Sequence, residues 1–248
     1  MTQFFFLHIP KTAGMSFTSF LCDHFDPAES LVGEYWETIR KQPMHELAKY
    51  KLITGHIGYE LSFHLTNPFV IAIFRHPVDR LCSVYEYLNQ VFDNDPNFSV
   101  EDPDINAFIQ LWKVAVRRPF PEFLDSTEAP VVAALLRNPQ SRQLAQPTPY
   151  LLSDLSEEQL FQLAEPRLKK IDVVGTVESF ADTVAATCRK AGWQMPADLD
   201  RHTKNITEKR SIRESLDPSL RQKIEKLAAV DLEIYHLAKQ RLQDDLRQ

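Results

Sequence analysis

The first seventeen residues combine a short apolar run, a polar loop and the start of an amphipathic helix. The run from Phe4 to His8 is apolar except for its last residue, which is typical of a buried strand. Pro10 ends the strand because proline has no N–H to give to a β ladder. Phe17, Phe20 and Leu21 then recur at helical spacing. This strand–loop–helix order directs backbone N–H groups and the positive end of a helix at one point, where we expect an anion.

The loop between strand and helix holds a lysine, a glycine and two hydroxyl side chains, at Lys11, Gly14, Thr12 and Ser16. It is not the standard NTP-binding loop, G-x-x-x-x-G-K-[ST], because Lys11 precedes Gly14 and no glycine stands at the early position. The alternative interpretation is a plain strand–turn–helix corner with a solvated lysine. The coincidence of these residue types within one turn favours an anion site.

A second candidate anchor follows the clearest strand, residues 69–74, which is apolar on both faces as a central parallel strand should be. Arg75 stands at its carboxyl end, where open α/β sheets bind ligands. Pro77 suits the first turn of a helix, and Ser83 lies about two turns into that helix. A guanidinium binds phosphate bidentately and stays charged, so Arg75 is a candidate phosphate ligand. The alternative is a structural ion pair. We expect Arg80 to pair with Asp79 or another carboxylate.

A candidate base follows the strand at residues 52–55. His56 lies between Gly55 and Gly58, and a parallel sheet would bring this strand end near the Lys11 loop. Histidine titrates close to neutral pH and can accept a proton from a hydroxyl. A structural turn histidine is the alternative. The other histidines show no ligand spacing, and neither candidate loop has an adjacent metal-binding carboxylate, so we predict no metal and disfavour a kinase.

These motifs resemble those of sulfotransferases that use 3′-phosphoadenosine 5′-phosphosulfate (PAPS), in the branch that sulfates carbohydrates. Residues 8–16 read H-I-P-K-T-A-G-M-S and resemble the 5′-phosphosulfate loop, often H-x-P-K-[TS]-[AG]-[GS]-[TS]-[ST]; Met15 departs from the usual hydroxyl residue. Residues 75–85 resemble the 3′-phosphate motif R-[DNH]-P-x-[ED]-R-x-x-S-x-[YF]. Residues 54–59 resemble the G-H motif, whose histidine is assigned as the base. The resemblance covers residues 4 to about 210.

The resemblance implies roles for particular residues. Lys11 and His56 would be catalytic, and Arg75 and Ser83 would hold the 3′-phosphate. The loop residues that would bind the donor are Lys11, Thr12, Ala13, Gly14, Met15 and Ser16. Weaker similarities to N-x-Q-[ST]-R-x-L at 138–144 and G-x-x-E-x-F at 175–180, with the stretch at 202–207, suggest acceptor or cofactor contacts at Arg142, Gly175, Thr176 and Asn205. A salt bridge at Arg142 and a loop cap at Asn205 are the structural alternatives.

The implied fold is one α/β domain over residues 1–248, with a P-loop-NTPase-like parallel sheet flanked by helices. Strands alternating with helices favour the same class. We predict a further strand at 171–175, helices at 34–50 and 178–192, and long surface loops around short helices at 117–130 and 138–149. The highly charged tail, 212–246, is predicted to be helical with a solvated face.

Composition and charge limit the possible partners and the cellular location. The chain has 248 residues, 44% hydrophobic and 25% charged, which is ordinary for a globular domain. A net charge of -6 argues against a nucleic-acid partner. Three scattered cysteines, the lack of a signal peptide and the lack of a membrane-spanning stretch predict a cytoplasmic, bacterial protein. The oligomeric state is left open.

The predicted reaction is sulfuryl transfer from PAPS to an acceptor hydroxyl on a glycan, lipid or small metabolite, releasing adenosine 3′,5′-bisphosphate. The alternatives are a nucleotide-dependent small-molecule kinase and a nucleotide-binding protein without catalysis.

Overall fold

The computed structural model describes residues 2–41, 43–126, 129–150, 154–202 and 212–247, except for the side chain of Ser215. Within these residues five strands form one sheet in the order β2-β3-β1-β4-β5, and every neighbouring pair is parallel. The strands are β1 (Gln3–Leu7), β2 (Ser30–Tyr35), β3 (Leu52–His56), β4 (Pro68–Phe74) and β5 (Val173–Thr176). The predicted α/β class with a parallel sheet is confirmed.

Helices flank the sheet. The α-helices of the described residues are α1 (Gly14–Cys22), α2 (Trp36–Ile39), α3 (Pro77–Asn94), α4 (Pro103–Val116), α5 (Phe120–Phe123), α6 (Pro130–Leu136), α7 (Pro139–Ala145), α8 (Glu157–Lys170), α9 (Phe180–Ala191), α10 (Pro218–Leu227) and α11 (Ala229–Leu246). Short 3₁₀ segments include Tyr59–His64 and Ile212–Ser215. No helix in the described ranges is both long enough and apolar enough to cross a membrane.

The sheet is buried on both faces, as its apolar central strands require. One face, with Phe5 and Val70, packs against α7, α8 and α11. The other face, with Phe6 and Ile71, packs against α1 and α9. A further apolar cluster holds α3, α4, α6 and α10 together beside the sheet.

The strand order places a crevice beside the centre of the sheet. The chain leaves β1 for β2 at one edge and leaves β4 for β5 at the other, although β1 and β4 are neighbours. Connections that diverge in this way leave an open crevice at the carboxyl ends of the two strands, which is where α/β sheets bind ligands. The two predicted anchor segments, residues 8–16 and Arg75, both begin at this point.

The helix predicted over residues 34–50 is wrong in its first part. Residues 30–35 form the edge strand β2, and only Trp36–Ile39 and the 3₁₀ segment Met44–Lys49 are helical. An edge strand pairs with one neighbour and is half exposed, so it lacks a continuous apolar run. Gly33, at φ 81°, also interrupts the register between Val32 and Glu34, which obscures the alternation expected of a strand.

The predicted surface loops and solvated tail are also wrong in part. Every residue of α7 is buried, and Phe120 and Phe123 of α5 are buried within the other predicted loop. Pro139 and Pro130 each stand at the first position of a helix, α7 and α6, where proline starts a helix instead of breaking one. In the tail, α11 buries Val230, Ile234 and other side chains against the sheet.

A buried carboxylate joins the tail to α7. Asp231 of α11 is 1% exposed and accepts hydrogen bonds from the Gln140 N–H (3.1 Å), the Ser141 N–H (2.7 Å) and the Ser141 hydroxyl (2.7 Å). In return the Asp231 N–H donates to Asn138 Oδ1. The first-turn N–H groups of a helix have no acceptor within the helix, so Asp231 caps α7 from a distant part of the chain.

Replacing Asp231 with alanine should therefore destabilise the fold. Two buried N–H groups and a hydroxyl would lose their acceptor, and we expect the free energy of unfolding to fall by about 3 kcal/mol. Urea denaturation of the parent and the variant measures this. Asp244→Ala, on the exposed part of the same helix, is the control and should cost under about 0.5 kcal/mol. Equal small losses in the two variants would contradict the capping role.

Candidate active site

The loop after β1 is tightly wound. Lys11 and Ala13 both adopt left-handed backbone conformations, at φ 69° and 61°. The Thr12 hydroxyl, which is fully buried, donates to the Ile9 carbonyl at 2.8 Å and closes the turn. Gly14 and Ser16 lie buried in the first turn of α1, while Met15 is 61% exposed. The predicted loop residues thus form one turn that ends in a helix N-terminus.

Glycine at position 14 leaves room for the His8 ring. A Cβ there would lie 1.8 Å from Nε2 of His8, whose ring packs against the start of α1. The same ring stacks on Phe6, with centroids 5.6 Å apart, and meets His56 edge-on at 4.7 Å. His8 therefore fills the space between the loop and the neighbouring strand end. Burial and the charge of Lys11 lower the pKa of His8 to about 4, so the ring is neutral at pH 7.

Lys11 lies among other cations. Burial, with the nearby Arg75 and Arg80 guanidinium groups, lowers the pKa of Lys11 to about 8, and Glu86 acts in the opposite direction. Its ammonium lies over the Tyr87 ring, 3.7 Å from the centroid. A bound anion would relieve the repulsion among these cations and raise the pKa of Lys11 again.

Arg75 joins the end of β4 to this loop. Its Nη1 donates to the Lys11 carbonyl at 3.2 Å. Gln140 of α7 fixes its main chain from both sides, since Oε1 accepts from the Arg75 N–H (3.0 Å) and Nε2 donates to the Arg75 carbonyl (2.9 Å). Burial lowers the pKa of Arg75, and Asp79 and Glu178 oppose the shift. An arginine remains cationic at neutral pH under such a shift.

A cavity of about 440 Å³ adjoins Arg75. It is lined by Arg75, Asp79, Ser83, Glu86, Arg213, Glu214 and Arg221. Both predicted 3′-phosphate ligands therefore face one cavity, with two arginines from residues 212–221 that the motifs did not identify. Arg213 reaches Asp79, with Nε 2.9 Å from Oδ1. The volume lies within the usual range for small-molecule sites.

Arg80, which was expected to pair with Asp79 or another carboxylate, does not pair with Asp79; burial lowers its pKa to about 10, and the nearby carboxylate of Asp231 opposes that shift. The Arg80 side chain is 2% exposed and points under the loop, where Nε donates to the Pro10 carbonyl (3.1 Å) and Nη1 to the Leu135 carbonyl (3.3 Å). Asp79 points to the other side of α3, toward Arg213. Consecutive helical residues project about 100° apart, so one lies under the loop and the other faces the cavity.

His56 stands at the carboxyl end of β3, beside β1. The register pairs Leu7 with Gly55, which brings His8 and His56 side by side. His56 Nδ1 lies 2.5 Å from the Tyr150 hydroxyl, a hydrogen-bond distance. Burial, together with the neighbouring His8, Arg80 and Lys11 side chains, lowers the pKa of His56 well below its usual value, so the ring is neutral at pH 7. Tyr150 directly follows the predicted surface loop at 138–149, and no sequence pattern marked it.

Gln143 of α7 supports both histidine-bearing strand ends. Its Nε2 donates to the His8 carbonyl (3.0 Å) and to the Ile57 carbonyl (2.9 Å). Arg142, which precedes Gln143, is 4% exposed and donates a hydrogen bond to the Ala134 carbonyl at 3.2 Å. Burial lowers the pKa of Arg142 to about 10. Its guanidinium thus lies between α6 and α7 within the protein.

The remaining predicted contacts lie farther along the sheet. Gly175 and Thr176 form the end of β5, paired with Ile73 and Phe74 of β4. A Cβ at Gly175 would lie 2.1 Å from the Thr183 side chain, so glycine there permits close packing of α9. Asn205 lies outside the described residues. Across the described ranges, no cluster of three or more His, Cys, Asp or Glu side chains is arranged to hold a metal ion.

Comparison with known proteins identifies the family. Residues 2–238 match the profile described as the Sulfotransferase family. No curated protein matched the sequence. The match covers the sheet, the Lys11 loop, Arg75, His56 and most of α11. The chain therefore belongs to the sulfotransferase family, whose general reaction is the transfer of a sulfuryl group.

Proposed function

We propose that this protein is a PAPS-dependent O-sulfotransferase, which transfers the sulfuryl group of PAPS to a hydroxyl of an acceptor. The observation that carries the proposal is the meeting of three groups at one edge of the sheet. A lysine-bearing loop ends β1, an arginine ends β4 and a neutral histidine ends β3. These are two anion-binding elements and a base, which sulfuryl transfer to a hydroxyl requires.

The charge distribution supports a donor with two anionic groups. The first turn of α1, with Lys11, would hold the 5′-phosphosulfate, because helix N-termini and ammonium groups stabilise anions. Arg75 and Ser83 would hold the 3′-phosphate in the cavity that they line. The Arg75 Nη1 bond to the Lys11 carbonyl ties the two positions together.

PAPS supplies an activated sulfuryl group whose S–O bond breaks as the acceptor oxygen forms a new bond to sulfur. His56 would accept the proton of the acceptor hydroxyl as that bond forms. Lys11 would stabilise the negative charge that develops on the bridging oxygen as adenosine 3′,5′-bisphosphate leaves. Both residues have the required protonation state at pH 7, since His56 is neutral and Lys11 is still protonated.

A kinase is the alternative reaction. Kinases and ATPases of similar layout hold Mg²⁺ with an aspartate near a strand end, whereas β4 is followed here by Arg75 and His76. Asp79, the nearest carboxylate on α3, is paired with Arg213. The other alternative is a nucleotide-binding protein without catalysis. It would have the same anion-binding groups but would transfer no sulfuryl group to an acceptor.

The proposal is tested by incubating the purified protein with PAPS labelled in its sulfate, against a panel of glycans, lipids and small hydroxyl metabolites. We expect label transfer to one class of acceptor. Calorimetry without Mg²⁺ should show tighter binding of adenosine 3′,5′-bisphosphate than of ATP. Tight, Mg²⁺-dependent ATP binding would contradict the proposal. Bisphosphate binding with no transfer across the panel would favour the non-catalytic alternative.

Arg75→Ala should weaken binding of adenosine 3′,5′-bisphosphate by about 2–4 kcal/mol, because a charge-assisted contact to the 3′-phosphate is lost. The fold should survive, since Gln140 holds the main chain of residue 75 and not its side chain. Calorimetry measures the affinity. Arg117→Ala is the matched control, because Arg117 is an exposed arginine that does not line the cavity. An Arg75→Ala protein that binds as tightly as the parent would remove Arg75 from the site.

His56→Ala should lower kcat by roughly 10²–10⁴-fold, the usual range for a lost general base, with little change in bisphosphate affinity. His64→Ala, at an exposed histidine, should leave kcat unchanged. The pH profile gives a second readout. Protonation inactivates the base, and the pKa of His56 is depressed, so the rate of the parent should fall only below about pH 6.5.

The acid limb of the pH–rate profile reports on His56, and the alkaline limb reports on Lys11. Above about pH 8 the free enzyme should lose kcat/KM as Lys11 loses its proton. The His56→Ala variant should keep that alkaline limb and lose the acid limb. An unchanged acid limb in the variant would assign the proton transfer to another residue.

A further inference from the structure

The ring of His56 is held by one hydrogen-bond partner at Nδ1. The Tyr150 hydroxyl lies 2.5 Å from that nitrogen, and Tyr150 is 4% exposed. Tyr35 meets the His56 ring edge-on at 5.2 Å and lies 6.0 Å from the Tyr150 ring. The contact at Nδ1 leaves Nε2 as the nitrogen that can exchange a proton with another molecule.

A close contact between two backbone segments places Tyr150 at this position. The segment after α7 passes over the turn that follows β3, and the Gly58 N–H donates to the Pro147 carbonyl at 2.6 Å. A Cβ at Gly58 would lie 1.6 Å from the Gln146 carbonyl oxygen, so only glycine permits this approach. Trp112 then packs against the Tyr150 ring, with centroids 5.1 Å apart. Gly58, which lies in the turn predicted to be catalytic, thus allows Tyr150 to reach His56.

A neutral histidine has two tautomers, and only one of them is useful for this reaction. For Nε2 to accept a proton, the ring hydrogen must reside on Nδ1 and be donated to a partner there. A tyrosine oxygen is such an acceptor. Burial raises the pKa of Tyr150 well above its usual value, with Tyr35 and Glu37 acting in the same direction, so the phenol stays neutral.

The titratable and charged groups that face this pair are His8, Lys11, Tyr35, Glu37, Arg80 and Tyr87. The cations among them disfavour a second proton on His56 before the reaction. The pair therefore rests as a neutral imidazole and a neutral phenol.

We propose that Tyr150 is a positioning residue, whose oxygen accepts a hydrogen bond from His56 Nδ1–H and so keeps Nε2 unprotonated for the acceptor hydroxyl. This inference rests on the proposed function for the identity of the reaction. As the acceptor oxygen bonds to sulfur, its proton moves to Nε2 and the S–O bond to the departing bisphosphate breaks. The imidazolium keeps its Nδ1–H···O bond to Tyr150 and releases the Nε2 proton to solvent after the product leaves.

The tautomer can be measured without any substrate. Nitrogen-15 NMR of histidine-labelled protein at pH 7 distinguishes protonated from bare ring nitrogens, and His56→Ala assigns the signals. We expect the parent to have a protonated Nδ1 and a bare Nε2 at residue 56. In Tyr150→Phe the protonation should shift toward Nε2, the tautomer that a free imidazole prefers. A parent protein with a bare Nδ1 would overturn the proposal.

Kinetics provide the second readout. Tyr150→Phe should lower kcat by roughly 10²-fold, less than the ~10⁴-fold lost when a charged orienting partner is removed from a serine protease triad, and should leave KM for PAPS unchanged. Tyr50→Phe is the matched control, because it deletes the hydroxyl of a half-buried tyrosine that precedes β3, lies outside the predicted motifs and does not line the cavity. A Tyr150→Phe enzyme with parental kcat would overturn the proposal.

These experiments distinguish a failure of the proposed reaction from a failure of the proposed role of Tyr150. If the parent shows the expected tautomer and transfers sulfate to no acceptor, the positioning of His56 stands and the proposed reaction fails. If the parent transfers sulfate but its Nδ1 is bare, the reaction stands and the role of Tyr150 fails. Should Tyr150→Phe not fold, the tautomer of the parent still decides the question.

Discussion

The arrangement of the site depends on one short buried helix, α7, and the amide side chains that it carries. Gln140 holds the main chain of Arg75 at the end of β4, and Gln143 holds the carbonyls of His8 and Ile57 at the ends of β1 and β3. Three neighbouring strand ends are thus fixed by two glutamines. Because both glutamines are fully buried, breaking one of these bonds leaves a buried amide group unpaired, which makes the arrangement rigid.

The same helix is itself held from the end of the chain. Asp231 of α11 accepts three hydrogen bonds from its first turn, and Arg80 reaches from α3 under the Lys11 loop to the Pro10 carbonyl. The positions of Lys11, Arg75 and His56 therefore depend on residues that do not line the cavity beside Arg75. Such support keeps several cations close together. Burial and that concentration of positive charge lower the pKa values of Lys11 and His56, and the positive charge favours an anionic ligand.

Sequence patterns predicted the elements whose signals are local. The strand–loop–helix order at the N-terminus and the buried strand before Arg75 were confirmed as β1, α1 and β4. Patterns failed where burial depends on partners elsewhere in the chain. The edge strand β2 has no continuous apolar run, and α7 has polar side chains that are buried only because strand ends and Asp231 bond to them. A charged tail also gave no local sign that one face of α11 would lie on the sheet.

The sequence by itself determined which chemical groups follow each strand, because a loop lysine, an arginine and a histidine are covalent neighbours of their apolar runs. The sequence also contains the glycines at positions 14 and 58, but it does not reveal the close contacts that each of them permits. Only the tertiary structure decided how those groups are held. Tyr150 and His56 are 94 residues apart in the chain, and Gln143 and His8 are 135 apart. Contacts at such separations arise from how the helices pack on the sheet, and no local periodicity encodes them.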